Sequence, residues 1–301
     1  MSPHLIQRVT ILGTGLIGGS FGLALKKYAA DIRIAGWDRA EALREARSRQ
    51  AIDDAHHGDL APALRGADLI YIALPIAATV DLLPEIARFA PGHALVTDAC
   101  STKFRISQAA AENFSGEPQF LGGHPMAGKE VSGIANADAD LFRGNAYALI
   151  AEAEKNPASA GEPESPNSQR DPRISAFVKI LEKIGARPFW LGAEQHDNAV
   201  GLASHLPQLA AIALGSFLYD RLDENGLPIT LAGPGLRDSL RLAGSPYNTW
   251  RDIILTNKEM IAEALEQFAR RLDDLSDRLG SRELEADFDA ANELYKLLRG
   301  L

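Results

Sequence analysis

The segment VTILGTGLIGGSFGLALKK, residues 9–27, constrains the fold more than any other stretch. A short β-branched run leads directly into Gly13, Gly15 and Gly18 in G-x-G-x-x-G spacing, and an apolar helical pattern follows without a break. Strand, tight turn and helix in that order make a dinucleotide cradle. The glycines permit the turn, close approach of the backbone to a pyrophosphate, and close packing of helix on sheet, while the helix N-terminus offers free N–H donors. Gly13, Gly15, Leu16, Ile17 and Gly18 are the expected contacts. Asp38 ends the next strand pattern 20 residues after Gly18, where a carboxylate accepts hydrogen bonds from ribose hydroxyls and repels a 2′-phosphate. The expected cofactor is therefore NAD; Arg39, able to pair with a 2′-phosphate, keeps NADP open.

Further apolar runs continue the pattern: RIAGWD, DLIYIALP, ALVTDA, QFLGGHP and AYALIA. Their nearly continuous hydrophobicity suits strands covered by helices on both faces. The prediction is an α/β chain, with an N-terminal Rossmann-type, doubly wound dinucleotide-binding domain. Residues at about 153–173 are rich in Pro, Ser, Glu and Asn and carry almost nothing to bury, so a mobile polar loop is expected there. The run ISAFVKILEKIGARPFWLG adds one more helix and strand, which puts this domain at 1–192. Residues 193–301 lose the strand signal and read as an all-α helical domain for substrate binding and dimerisation. Within it Ile261, Leu265, Phe268, Leu272, Leu275 and Leu279 recur at alternating spacings of four and three. Such a stripe packs within the chain or forms the seam of a homodimer, and the amount of apolar surface favours the dimer.

A formal charge of −9 argues against nucleic acid or an anionic membrane surface as partner, and requires a local cationic pocket for any anionic substrate. Cys100 is the single cysteine, so no intramolecular disulfide forms and a reducing cytoplasm is the expected location. The opening MSPHLIQRVT lacks the apolar core of a secretory signal, and no apolar run is expected to approach the 18 or so residues of a membrane span.

Several strand ends carry the candidate chemistry, at the carboxyl edge of the sheet where ligands bind in such folds. Leu74 and Pro75 end one strand and are candidate cofactor contacts. VTDACSTK delivers Ser101, and FLGGHPMAGKE delivers His124, held between two glycines and a proline. A hydroxyl and an imidazole beside a nicotinamide point to oxidation of an alcohol, with the histidine accepting the hydroxyl proton. Cys100 reads as a buried neutral thiol, and His56 and His57 as surface residues. In the helical half, Arg237 and Arg241 lie four apart, on one helix face, after a Pro-Gly break, and Ser204 and Gln208 share a helical face with His205 turned aside. No metal is expected.

Taken together, ILGTGLIGGS, VTDACSTK, GGHPMAGKE, SHLPQLAA and LRDSLRLAGSPYNTWRDI resemble the prephenate and arogenate (cyclohexadienyl) dehydrogenases over nearly the whole chain. The resemblance implies NAD-dependent oxidative decarboxylation of prephenate to 4-hydroxyphenylpyruvate, or of arogenate to tyrosine, in tyrosine biosynthesis. It implies His124 as the catalytic histidine, Ser101 as the serine that supports the reacting hydroxyl and the nicotinamide, and Arg241 as the arginine that binds the ring carboxylate. Arg237, Asp238 and Trp250 would line the same pocket, Glu130 would stand at its entrance, and Ser204 would be a pocket serine. Gln208 departs from the histidine that many prephenate users carry, which fits a dual-specificity or arogenate enzyme somewhat better.

A 3-hydroxyacid dehydrogenase has the same two-domain plan, but such enzymes carry a catalytic lysine on the helical side and SHLPQLAAIALGSF has none. A non-catalytic NAD-sensing module would use the same glycines, yet has no need of both His124 and Arg241.

Overall fold

The computed structural model describes residues 6–151, 171–222 and 226–300. Most of the polar segment at 153–173 lies outside the described residues, but its end does not: Asp171 caps the next helix by accepting a hydrogen bond from Arg173 N at 2.8 Å.

Eight strands form one sheet in the order β3-β2-β1-β4-β5-β6-β7-β8. They are β1 (Arg8–Leu12), β2 (Arg33–Trp37), β3 (Asp54–His56), β4 (Leu69–Ile72), β5 (Leu95–Asp98), β6 (Gln119–Pro125), β7 (Ala146–Ile150) and β8 (Arg187–Leu191). The first six run parallel in the doubly wound order; β7 pairs antiparallel with β6, and β8 runs parallel to β7. Helices α1 (Leu16–Tyr28), α2 (Ala40–Ser48), α3 (Ala61–Leu64), α4 (Ile76–Phe89), α5 (Phe104–Asn113) and α6 (Pro172–Lys183) connect them. Both faces are covered, so β4 and β5 are buried at every position, which is why their sequences are apolar without alternation. Two apolar clusters, one around Ile11, Phe21 and Tyr71 and another around Leu12, Ile70 and Val96, fill the two faces.

The helical half follows β8 through Gly192: α7 (Ala193–Val200), a π-helical turn at Gly201–His205, α8 (Leu206–Tyr219), α9 (Leu227–Thr230), α10 (Pro234–Ser239), a 3₁₀ turn at Arg241–Gly244, α11 (Tyr247–Thr256), α12 (Lys258–Asp277) and α13 (Leu284–Arg299). Arg237 and Arg241 do not share one helix face, contrary to the expectation from their spacing. The helix ends at Ser239 and the chain tightens into the 3₁₀ turn, so the two arginines sit on separate elements.

The stripe on α12 buries Ile261 but leaves Phe268, Leu272 and, just beyond it, Leu279 exposed, and α13 buries none of its residues. One span also corrects the expectation of no long apolar run: Ala193–Tyr219, 27 residues of continuous helix, is long and apolar enough to cross a membrane by length and composition. Its first turns carry His196 and Asp197, both buried against the sheet domain, while Phe217 and Tyr219 face outward at its far end.

Candidate active site

The glycine turn follows from what a side chain would meet there. A Cβ on Gly18 would lie 1.9 Å from the Gly13 carbonyl oxygen, and one on Gly13, whose φ is +91°, would lie 2.5 Å from the Ala73 carbonyl oxygen. Gly15 by contrast opens onto free space, and α1 begins there with neither a side-chain cap nor an acidic residue in its first turn. Open space above uncapped N–H groups fits the pyrophosphate of a dinucleotide. Leu16 and Ile17 are the first residues of that helix, partly buried against the core. At the end of β2 the Asp38 carboxylate accepts hydrogen bonds from Thr14 N at 2.7 Å, Thr14 Oγ1 at 3.1 Å and Arg39 N at 2.7 Å. The turn and the Asp38 carboxylate are thus one hydrogen-bonded unit. Thr14, fully buried, was not singled out in the sequence, and nothing in its type separates it from any other loop threonine. The Arg39 side chain is exposed. Leu74 is half-buried and Pro75 is the N-cap of α4, both at the carboxyl end of β4.

His124 stands near the end of β6. A buried ion pair fixes this strand end. Asp98, at the end of β5, accepts from Gly123 N at 3.1 Å and Cys100 N at 2.9 Å and pairs with Lys103; Lys103 Nζ also donates to the Gly123 carbonyl at 2.6 Å. A Cβ on Gly123 would lie 2.7 Å from the Asp98 carbonyl, so the residue before the histidine must be glycine for the strands to close. His124 is half-buried, and its Nδ1 lies 2.8 Å from His196 Nε2. Burial first, then His196, Lys103 and His205, push its pKa well below the usual histidine value, so the ring is neutral at physiological pH. A neutral imidazole is what a general base requires. The Ser101 hydroxyl, two residues before Lys103, hydrogen-bonds nothing among the described residues and is free for a ligand. Cys100 is buried and its thiol is pushed up to about 12 by desolvation, as an inert neutral group.

The helical half supplies the opposite wall. Trp250 packs against the small apolar cluster of Ile76, Cys100, Ile106 and Ile253, and its ring meets His205 edge-on at 5.8 Å. Asp252 accepts from Ala77 N at 3.2 Å, satisfying a free donor at the start of α4. Arg241 pairs with Glu130 across the gap between the halves, both partly exposed. Arg237 and Asp238 are exposed on α10. Ser204 lies in the π turn, half-buried, whereas Gln208 is 1% exposed and its Nε2 donates to the Leu242 carbonyl at 2.8 Å. His205, described from sequence as turned aside, is buried with Nδ1 at 3.1 Å from Asn257 Nδ2. His196 and Asp197 escaped sequence reading; an adjacent His-Asp in the first helix after β8 was the available signal. Among the described residues no cluster of metal-ligating side chains occurs. A crevice of about 510 Å³ at the other end of the strands, beside Arg8, Arg47, Asp54 and Arg65, includes none of these groups.

A Rossmann sheet with an uncapped glycine turn, a neutral histidine at its carboxyl edge and a helical wall bearing an arginine defines a two-domain, nicotinamide-dependent dehydrogenase. Residues 21–160 match the family model for the nucleotide-binding domain of prephenate dehydrogenase, and residues 192–299 match that for its dimerization domain. Prephenate dehydrogenase of Lactococcus lactis is 33% identical over 93% of this chain and 73% of its own length. The crystal structure of Aquifex aeolicus prephenate dehydrogenase, in complex with hydroxyphenyl propionate and NAD⁺, superposes with a TM-score of 0.80 at 26% identity, covering 97% of each chain. Synechocystis arogenate dehydrogenase superposes at 0.73 and 26% identity, over 98% of this chain and 97% of that one. The chain belongs to the prephenate dehydrogenase family.

Proposed function

We propose that this protein catalyses the NAD-dependent oxidative decarboxylation of prephenate to 4-hydroxyphenylpyruvate and also accepts arogenate, yielding tyrosine. The observation that carries the reading is the neutral, half-buried His124 at the sheet edge, with the free Ser101 hydroxyl on the neighbouring strand end and Arg241 on the facing wall. The dinucleotide, held by Gly13, Gly15, Leu16, Ile17, Gly18, Asp38, Leu74 and Pro75, supplies when bound the acceptor for the hydride leaving the ring carbon that bears the hydroxyl. His124 takes the hydroxyl proton, and Ser101 holds the same oxygen. Loss of carbon dioxide across the ring provides the electrons that make it aromatic, and His124 returns its proton to the phenolic oxygen, so the base ends as it began. Arg241 orients the ring through its carboxylate, a task suited to a guanidinium that never gives up its proton. That carboxylate must displace Glu130 from Arg241. Arg237, Asp238, Trp250, Ser204 and Gln208 complete the wall.

The division of labour falls at Gly192, with 1–192 holding the dinucleotide and 193–301 closing the pocket. A second copy of the chain covers the apolar faces of α12 and α13, giving a homodimer. Its place is the cytoplasm, where Cys100 stays reduced. Steady-state kinetics with prephenate and arogenate, each with NAD⁺ and NADP⁺, tests the proposal. Turnover of both substrates with preference for NAD⁺ supports it, and failure to reduce either dinucleotide with either substrate refutes it.

A further inference from the structure

A chain of hydrogen bonds runs from His124 into the helical half. His124 Nδ1 lies 2.8 Å from His196 Nε2, and His196 Nδ1 lies 2.7 Å from Asp197 Oδ1. Asp197 is fixed in turn: Oδ1 accepts from Lys103 N at 2.7 Å, Oδ2 accepts from Phe104 N at 2.9 Å, and the Asp197 carbonyl accepts from Asn257 Nδ2 at 2.8 Å. His196 and Asp197 are 1% and 3% exposed, so no solvent reorients them.

The directions of these bonds follow from donor counting. Both carboxylate oxygens of Asp197 already face backbone N–H donors, so Asp197 is an acceptor and His196 Nδ1 must be the donor. A His196 ring with one proton then presents Nε2 as an acceptor. The partner that fills it is Nδ1–H of His124. That leaves Nε2 of His124 as its unprotonated nitrogen.

We propose that His196 and Asp197 are positioning residues for the reaction. Asp197 fixes the ring proton of His196, and His196 fixes the tautomer and rotation of His124 so that Nε2 is the proton acceptor. Resting on the reading of His124 as the base, this adds that the base is set from the other half of the molecule. His124 and Lys103 belong to the sheet domain, His196 and Asp197 to α7, and the backbone N of Lys103 joins the two. Docking of the halves and arming of the base are therefore one event. Without the chain, a neutral His124 would divide itself between two tautomers and turn freely about its side-chain bonds.

The test uses the full-length protein in four forms: wild type, His196→Leu, His196→Gln and His124→Asn. His196→Leu removes the acceptor, and kcat is expected to fall by about 10- to 100-fold, a part of the roughly 10²- to 10⁴-fold that general acid–base catalysis contributes. The KM values for prephenate and NAD⁺ should change by no more than about twofold, since a tautomer matters to proton transfer and not to uniform binding. His196→Gln retains an amide oxygen that can accept from His124 Nδ1–H, and should recover most of the lost kcat. An unchanged kcat in His196→Leu, a rise in KM in place of the fall in kcat, or a Gln variant as impaired as the Leu variant overturns the proposal. Should the Leu variant fail to fold, ¹⁵N-histidine spectra of the wild type still decide. Both rings protonated at Nδ1, with Nε2 of His124 bare, supports the proposal, and His124 protonated at Nε2 overturns it. Full activity in His124→Asn would instead remove the underlying assignment of the base, a result separable from all of these.

Discussion

Replacing Lys103 by methionine tests how the buried pair supports both the fold and the proposed base, His124. Lys103 and Asp98 are fully buried, and Lys103 Nζ binds both the Asp98 carboxylate and the Gly123 carbonyl beside His124. Lys103→Met fits a similar volume but strands the Asp98 charge with only the Gly123 and Cys100 N–H groups. Removing one partner of a buried pair costs about 3–5 kcal/mol. At about 2–4 °C per kcal/mol for a domain of this size, Tm should fall by about 6–20 °C, measured at fixed protein concentration because the protein is read as a dimer. Asp98→Asn combined with Lys103→Met removes the stranded charge and should recover at least half of that loss. The substitution also has a kinetic signature. Lys103 is one of the groups that depress the His124 pKa, so its removal raises that pKa, and the acid limb of the kcat/KM profile should move to higher pH. A Lys103→Met protein within about 2 °C of wild type, or a double variant no more stable than the single, would refute the reasoning.

Other expectations follow from the same geometry. Burial lowers the His205 pKa to about 4 against an ordinary value of 6.5, so the unfolded chain binds the proton first as pH falls. Stability should therefore be intact above pH 6.5 and decline by about 3 kcal/mol toward pH 4; chemical denaturation at stepped pH checks this, and His205→Gln should flatten that part of the curve. Asp38→Ser removes the repulsion toward a 2′-phosphate and should shift preference toward NADP⁺ by about tenfold, or 1.4 kcal/mol, in the ratio of specificity constants; a wild type that already prefers NADP⁺ would mean Arg39 dominates. Arg241→Gln loses a charge-assisted contact of about 2 kcal/mol and should raise the prephenate KM by about 30-fold with a smaller effect on kcat, whereas an equal fall in kcat would undo its assignment to ground-state binding.

What the sequence reveals here depends on whether a local pattern has one structural meaning. The glycine spacing does, because only a strand, a turn and a helix in close contact require Gly13 and Gly18 where a Cβ would strike a carbonyl. The apolar runs identify strands but carry no direction, so nothing in AYALIA announces that β7 runs antiparallel to β6. Asp54–His56 is too short to show a period, and its strand is visible only through its pairing with β2. The π turn at Gly201–His205 breaks the 3.6-residue wheel on which Ser204, His205 and Gln208 were placed, so their relative directions were beyond a helical projection.

The site divides along the same line. His124, Ser101 and Arg241 sit at strand ends or breaks, where a polar residue has no structural excuse and therefore attracts notice. His196 and Asp197 sit inside a helix, where a His-Asp pair reads as a solvated face; only the approach of the α5 N-terminus and β6 from far along the chain turns them inward. Gln208 is the sharper case. Its residue type pointed to substrate selection through an amide that can face an ammonium or a keto group. In the structure Nε2 is already committed to the Leu242 carbonyl, one residue past Arg241. The amide thus holds the turn that carries the arginine. Any part it takes in choosing between the keto acid and amino acid side chains falls to its oxygen, which suits the ammonium of arogenate better than the carbonyl of prephenate.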